Sequence, residues 1–243
     1  MQQASLAKLG AAQVVLQKFE DALQNLREAL RITRKTLGRS HRTVAQIMCH
    51  IACLYFEAGE LFSAQATFED ALEIYREAFA TEDDRDACMA QMTETLCNIG
   101  SIQNKRKNYA GAIGYFREAL DLQRGIMGHD HPRVIASLDN LGYSFSKNKS
   151  YNQALTCYKE MLSAQLSQQG EFTLDYCDTL KKQTLIYQKL KNLDGAIKAT
   201  KKALGKVKVR TLPSEAPVVA ELELLLAELK AKREKRKAKC SIF

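Results

Sequence analysis

The 243-residue chain carries little that interrupts a helix: three Pro and twelve Gly, with 46% hydrophobic residues. That balance favours an all-α chain over a strand-and-turn fold. No apolar run reaches the roughly eighteen residues of a membrane-spanning helix. The opening residues Met1-Gln2-Gln3-Ala4-Ser5 lack a charged stretch followed by a long apolar one, so no secretory signal is expected. They enter a helical pattern almost at once, as they would inside a longer product. Seven cysteines stand at 49, 53, 88, 97, 157, 177 and 240, an odd number with no Cys-x-x-Cys. Buried free thiols in a reducing compartment are the expected reading. Cys49 and Cys53 lie one helical turn apart beside His50, but a structural zinc site takes four ligands and no second pair is at hand. No metal is therefore expected. Gly-rich phosphate loops, His-Glu-x-x-His and Gly-x-Ser-x-Gly are also missing. The expectation is a non-enzymatic protein with no cofactor and no small-molecule substrate.

The formal charge of +8 is unevenly placed. Residues 230–239 hold seven basic groups (Lys230, Lys232, Arg233, Lys235, Arg236, Lys237, Lys239) and one acid, Glu234. The remainder carries 29 basic and 27 acidic residues, a net of +2. The basicity belongs to the tail.

What the chain does have is periodicity. Ala22, Ala64, Ala112, Ala154 and Ala196 follow one another at spacings of 42, 48, 42 and 42 residues. A second column reads Ala29, Ala71, Ala119, Met161 and Ala203, and a third Gly10, Ala52, Gly100, Gly142 and Thr184. Small residues recurring at helical spacing mark close crossings of two helices in a hairpin. Leu26, Phe68, Phe116 and Tyr158, four residues after their anchors, are expected to fill the space beside them. A unit of this length is stable only when stacked on its neighbours, which predicts a solenoid. Gly38, Gly128 and Gly170 are expected to end helices in the left-handed conformation, and Pro132 to open the next one. The extra residues Thr81–Ala87, with Glu82, Asp83, Asp84 and Asp86, read as a solvated spacer with a helix N-cap.

The segment Met127-Gly128-His129-Asp130-His131-Pro132-Arg133-Val134, with Leu138-Asp139-Asn140-Leu141-Gly142 and Tyr151-Asn152-Gln153-Ala154, resembles the 42-residue tetratricopeptide repeat of kinesin light chains. The resemblance covers about residues 3–208 and is weakest in the fifth unit, where Gln183, Thr184 and Thr200 replace apolar or small residues. It implies a right-handed superhelical solenoid of about five helix hairpins, with repeats at about 1–40, 41–80, 88–128, 131–170 and 172–208. His129 and His131 become turn residues. No heptad region for pairing with a motor heavy chain is present, so the resemblance supports the repeat type and not the motor function. Beyond Pro213, Val218, Leu222, Leu225 and Leu229 form one apolar face, which predicts a capping helix over 213–229 and leaves 230–243 as a polybasic tail.

In a tetratricopeptide array the first helices line the concave face, and the resemblance implies that Asn two residues before the small column holds the backbone of an extended peptide. That column reads Lys8, His50, Asn98, Asn140 and Lys182. A carboxamide suits the task because it offers an amide both a donor and an acceptor. A further column reads Val15, Glu57, Lys105, Lys147 and Lys189; its three aligned lysines, together with Lys181 and Lys182, would make the C-terminal half of the groove electropositive and its ligand acidic. The candidate groove is therefore His50, Asn98, Asn140, Lys105, Lys147, Lys182 and Lys189, with a protein or peptide as partner.

The final Cys240-Ser241-Ile242-Phe243 fits the C-a-a-X pattern, with Cys240 as prenyl acceptor. A lipid and a basic run together supply the two signals of stable anchoring, which suggests a cytoplasmic protein associated with an anionic membrane face. The alternatives are a structural part of a cytoskeletal or ciliary assembly, or a nuclear scaffold using the basic run for import or nucleic acid. Nucleic acid is disfavoured because no aromatic residue interleaves the basic run and the repeats are nearly neutral.

Overall fold

The computed structural model of the chain describes residues 2–81, 85–169, 174–207 and 216–240. Ten helices and no strand occur among them: α1 (Gln2–Leu37), α2 (Arg42–Glu57), α3 (Leu61–Thr81), α4 (Arg85–Lys105), α5 (Tyr109–Met127), α6 (Pro132–Lys147), α7 (Tyr151–Gln169), α8 (Leu174–Lys189), α9 (Leu193–Val207) and α10 (Ala216–Cys240). No helix among the described residues is long and apolar enough to cross a membrane. The helices form two compact units, Met1–Leu122 and Gln123–Phe243.

Four hairpins, α2–α3, α4–α5, α6–α7 and α8–α9, turn by one backbone device. Gly59, Lys107, Lys149 and Lys191, each five residues before an anchor alanine, have φ of 83, 62, 63 and 57°. The next residue's N–H returns to a carbonyl five positions back: Glu60 to Tyr55, Asn108 to Gln103, Ser150 to Phe145 and Asn192 to Tyr187, at 2.8–2.9 Å. This is the Schellman closure of a helix C-terminus. Asn108 and Asn192 then start the next helix, accepting from the Gly111 and Gly195 amides at 3.2 and 2.9 Å. One residue thus ends a helix and its successor begins another.

The first unit departs from the expected pattern here. The anticipated hairpin over about 1–40 is a single uninterrupted helix, α1. Its turn positions hold Gln17 and Lys18; where the other hairpins have Glu60, Asn108, Ser150 or Asn192, Lys18 has no acceptor to cap a helix. With no start signal for a second helix, the helical pattern runs through.

In the first unit the core is built from Val44, Met48, Phe68, Tyr75, Leu96 and Ile99, with Ala64 and Ala71 fully buried between helices. The expected close crossings are present. A Cβ on Gly100 would stand 2.8 Å from the Phe116 ring, too close for any side chain. In the second unit Gly142 meets Tyr158 at the same distance, and Ala154, Ala196 and Ala203 are fully buried. Each such buried aromatic or aliphatic side chain contributes roughly 1.5–3 kcal/mol.

The linkers also follow their residues. Gly38 and Gly128 have φ of 89 and 79°, while Gly170 lies outside the described residues. His41 and His131 are the N-caps of α2 and α6, each Nδ1 accepting a backbone N–H at 3.2 Å. The N-cap expected within Thr81–Ala87 falls largely on residues 82–84, outside the described ones.

α10 packs on α9 through Leu222, Leu226 and Leu229, all buried. The helix does not stop at Leu229 but continues through Cys240. Part of the basic run is tied down: the Arg233 guanidinium meets Asp194 at 3.3 Å, and Arg236 donates to the Lys191 carbonyl at 3.1 Å. Residues 241–243 of the C-a-a-X-like end lie outside the described residues, as does the side chain of Cys240.

Candidate functional site

The first unit brings together the inner faces of α2 and α4. Gln46, Cys49, His50 and Cys53 stand at helical spacing on one, and Gln91, Glu94, Thr95 and Asn98 on the other. They enclose a pocket of about 190 Å³. His50 and Asn98, expected in the groove from their column, therefore line one cavity. At its base the Cys49 sulfur lies 3.4 Å from the Thr95 hydroxyl, above the buried Tyr75. Burial pushes the Cys49 thiol up to about 11, and the more exposed Cys53 rises for the same reason. Both thiols are thus neutral and poorly nucleophilic at physiological pH. Gln91 Oε1 is buried with no hydrogen-bond partner, an acceptor left unsatisfied beside the pocket. Lys105, the last of the expected residues here, sits with its ammonium 3.7 Å from the centre of the Phe56 ring.

In the second unit the expected residues lie on α6 and α8. Asn140 is exposed, and its backbone carbonyl accepts from the Ser144 hydroxyl. Lys147 is exposed and stands 5.3 Å from the centre of the half-exposed Tyr143 ring. Lys189 is exposed at the end of α8. Lys182 is different: its ammonium is held 2.6 Å from both oxygens of Asp139. One charge of the anticipated electropositive face is thereby offset.

Asp139 lies outside the columns, which take one position per repeat. The signal was adjacent, since Asp139 precedes Asn140 in the segment that carries the family resemblance. Gln91 gave no such signal, because its role depends on which face α4 turns towards α2.

The family model for the tetratricopeptide repeat matches residues 2–77 and 91–167. Curated relatives are clustered mitochondria protein homologs. That of Candida albicans is 27% identical over 146 residues, 60% of this chain and 10% of its own length. That of Emericella nidulans is 24% identical over 137 residues, 56% and 11% respectively. The chain thus spans about a tenth of these relatives. Among solved structures, BtubC (BKLC) from P. vanneervenii has a TM-score of 0.66 at 16% identity, covering 92% of this chain and 86% of its own. A putative kinesin light chain of Podosopora anserina, with nearly identical TPR-like repeats, has a TM-score of 0.63 at 15% identity, covering 82% and 90%. At such identity the likeness is one of fold: a helical repeat solenoid.

Proposed function

The chain belongs to the tetratricopeptide repeat family, and from that membership we propose that it is a non-enzymatic adaptor holding a peptide or partner helix along the first helices of its repeats. The repeats form a protein-interaction scaffold. The observation that carries the finer reading is the α2–α4 pocket with its donor-less Gln91 Oε1. A buried acceptor left unpaired costs about 1–3 kcal/mol, and an amide N–H from a bound backbone relieves it. Asn98 beside it offers both a donor and an acceptor to the same backbone.

In the second unit, exposed Lys147 and Lys189 support an acidic ligand. The test is capture of partners from a eukaryotic lysate by the wild-type chain and by Asn98→Ala with Asn140→Ala. Partners lost by the folded double variant support the groove; a full set of partners retained by it overturns the reading.

On the sequence alone, a cytoplasmic setting with prenylation at Cys240 is part of the same proposal. The intact mass of wild type and Cys240→Ser made in eukaryotic cells tests it, an unmodified wild type being the adverse result.

A further inference from the structure

Two ion pairs recur between successive second helices. Arg76 on α3 meets Glu118 on α5 at 2.6 Å, and Arg124 on α5 pairs with Glu160 on α7. The arginines stand twelve residues after Ala64 and Ala112, and the glutamates six after Ala112 and Ala154. Each pair straps the second helix of one repeat to that of the next. At the following step the same two positions are Leu166 and Lys202. The strap is gone. Leu166 is 41% exposed, and the Lys202 ammonium lies 5.5 Å from the centre of the Tyr176 ring.

Where the strap is missing, a groove of about 490 Å³ opens between α7 and α9, floored by α8. Leu162, Leu166, Tyr176 and Tyr187 give it an apolar lining, and Lys159, Lys198 and Lys202 stand on its walls. No carboxylate lies among the described lining residues. The two walls, α7 and α9, each contribute residues spread over about two turns, roughly 10 Å, and the α8 floor residues spread over about three, roughly 16 Å.

We propose that this groove docks an acidic amphipathic helix of another protein. Its apolar side chains enter over Leu166 and Tyr176, and its carboxylates meet the three lysines. Lys198 and Lys202 stand one turn apart on α9, with Lys159 opposite on α7. Positive charge distributed along both walls matches carboxylates distributed along a helix, whereas a lipid presents its charge at one end of an acyl chain. The groove is walled by second helices and shares no lining residue with the α2–α4 pocket of the proposed adaptor function, so the two are tested separately.

The probe is a fluorescein-labelled, end-capped helix of about fourteen residues, with Leu at spacings of three and four and Glu elsewhere. Anisotropy is read on the full chain. The expected result is saturable binding that weakens at least about tenfold in Leu166→Arg/Lys202→Glu, which installs the strap of the earlier repeats. Lys198→Glu weakens it with the apolar floor intact. Asn98→Ala/Asn140→Ala leaves it unchanged.

Equal binding by the strapped variant, or by a peptide with Lys in place of Glu, overturns the proposal. So does wild-type protein that ignores the peptide but takes up sodium oleate or phosphatidylserine vesicles. Peptide binding seen only in Phe172→Ser would assign the groove to the chain's own residues 170–173 and also overturn it.

Discussion

Thr184 and Thr200 face each other across the α8–α9 crossing with hydroxyl oxygens 3.3 Å apart. In the preceding repeat the same two columns hold Gly142 and Tyr158. A larger residue on one helix is matched by a smaller one on the other, so the crossing stays filled. Both threonines are buried, and each hydroxyl donates to the carbonyl four residues back, Leu180 and Ala196, at 2.9 Å. The fifth repeat is therefore compensated rather than decayed. Thr184→Gly alone leaves a void and Thr200→Tyr alone overpacks, each destabilising by about 1–3 kcal/mol. The double variant restores the Gly142–Tyr158 arrangement. Urea midpoints of all four proteins are expected to show a favourable coupling of about 1–3 kcal/mol; additive losses would refute the pairing.

The hairpin turns invite a simpler change. Lys107, Lys149 and Lys191 occupy the left-handed region, where a side chain costs on the order of 1–2 kcal/mol. Glycine removes that strain but loses more entropy on folding. Lys149→Gly is expected to stabilise by about 0.5–1 kcal/mol, read as a higher urea midpoint. Gly59→Lys, at the same position two hairpins earlier in the array, is expected to lower it.

Asp139 restrains Lys182. Both side chains are about a third or more exposed, 35 and 41%, so the pair contributes under about 1 kcal/mol to stability. Asp139→Asn should leave the melting temperature nearly unchanged while freeing a cation on α8. An acidic peptide held by this face would then bind more tightly and with steeper salt dependence. Titration at two ionic strengths checks it.

Cys49 gives a pH prediction with a definite sign. Its thiol rises from 9.0 to about 11 on folding, chiefly through burial. The folded state therefore holds the proton more tightly, a stabilisation fully present below pH 9.0 and lost as pH climbs through about 11. Thiol labelling at pH 8 should modify exposed Cys53 well before Cys49. Comparable rates at the two positions would contradict the burial of Cys49.

Much of this was legible in the chain because close crossings demand particular residues. Gly142 could be read as a contact point since nothing larger fits against Tyr158. The uninterrupted α1 was missed because the anchor column continues into Ala22, whereas the turn is decided by its neighbours Gln17 and Lys18. In the candidate groove the columns located Lys182 but not its charge balance. That depends on Asp139, which belongs to a different helix and becomes a neighbour only on folding. The groove beside Leu166 was invisible for a related reason: its signal is the loss of a pair whose members stand 36 residues apart.

The packing of α10 bears on how the array is kept finite. A stacked repeat presents to the next the same kind of face that it received from the last, so an uncovered final repeat is an adhesive end on which further copies can add. Leu222, Leu226 and Leu229 occupy that end against α9, and Arg233 and Arg236 fasten the helix beyond them. In polymer terms α10 acts as a chain terminator at this face: it occupies the surface of α9 on which a further repeat would stack.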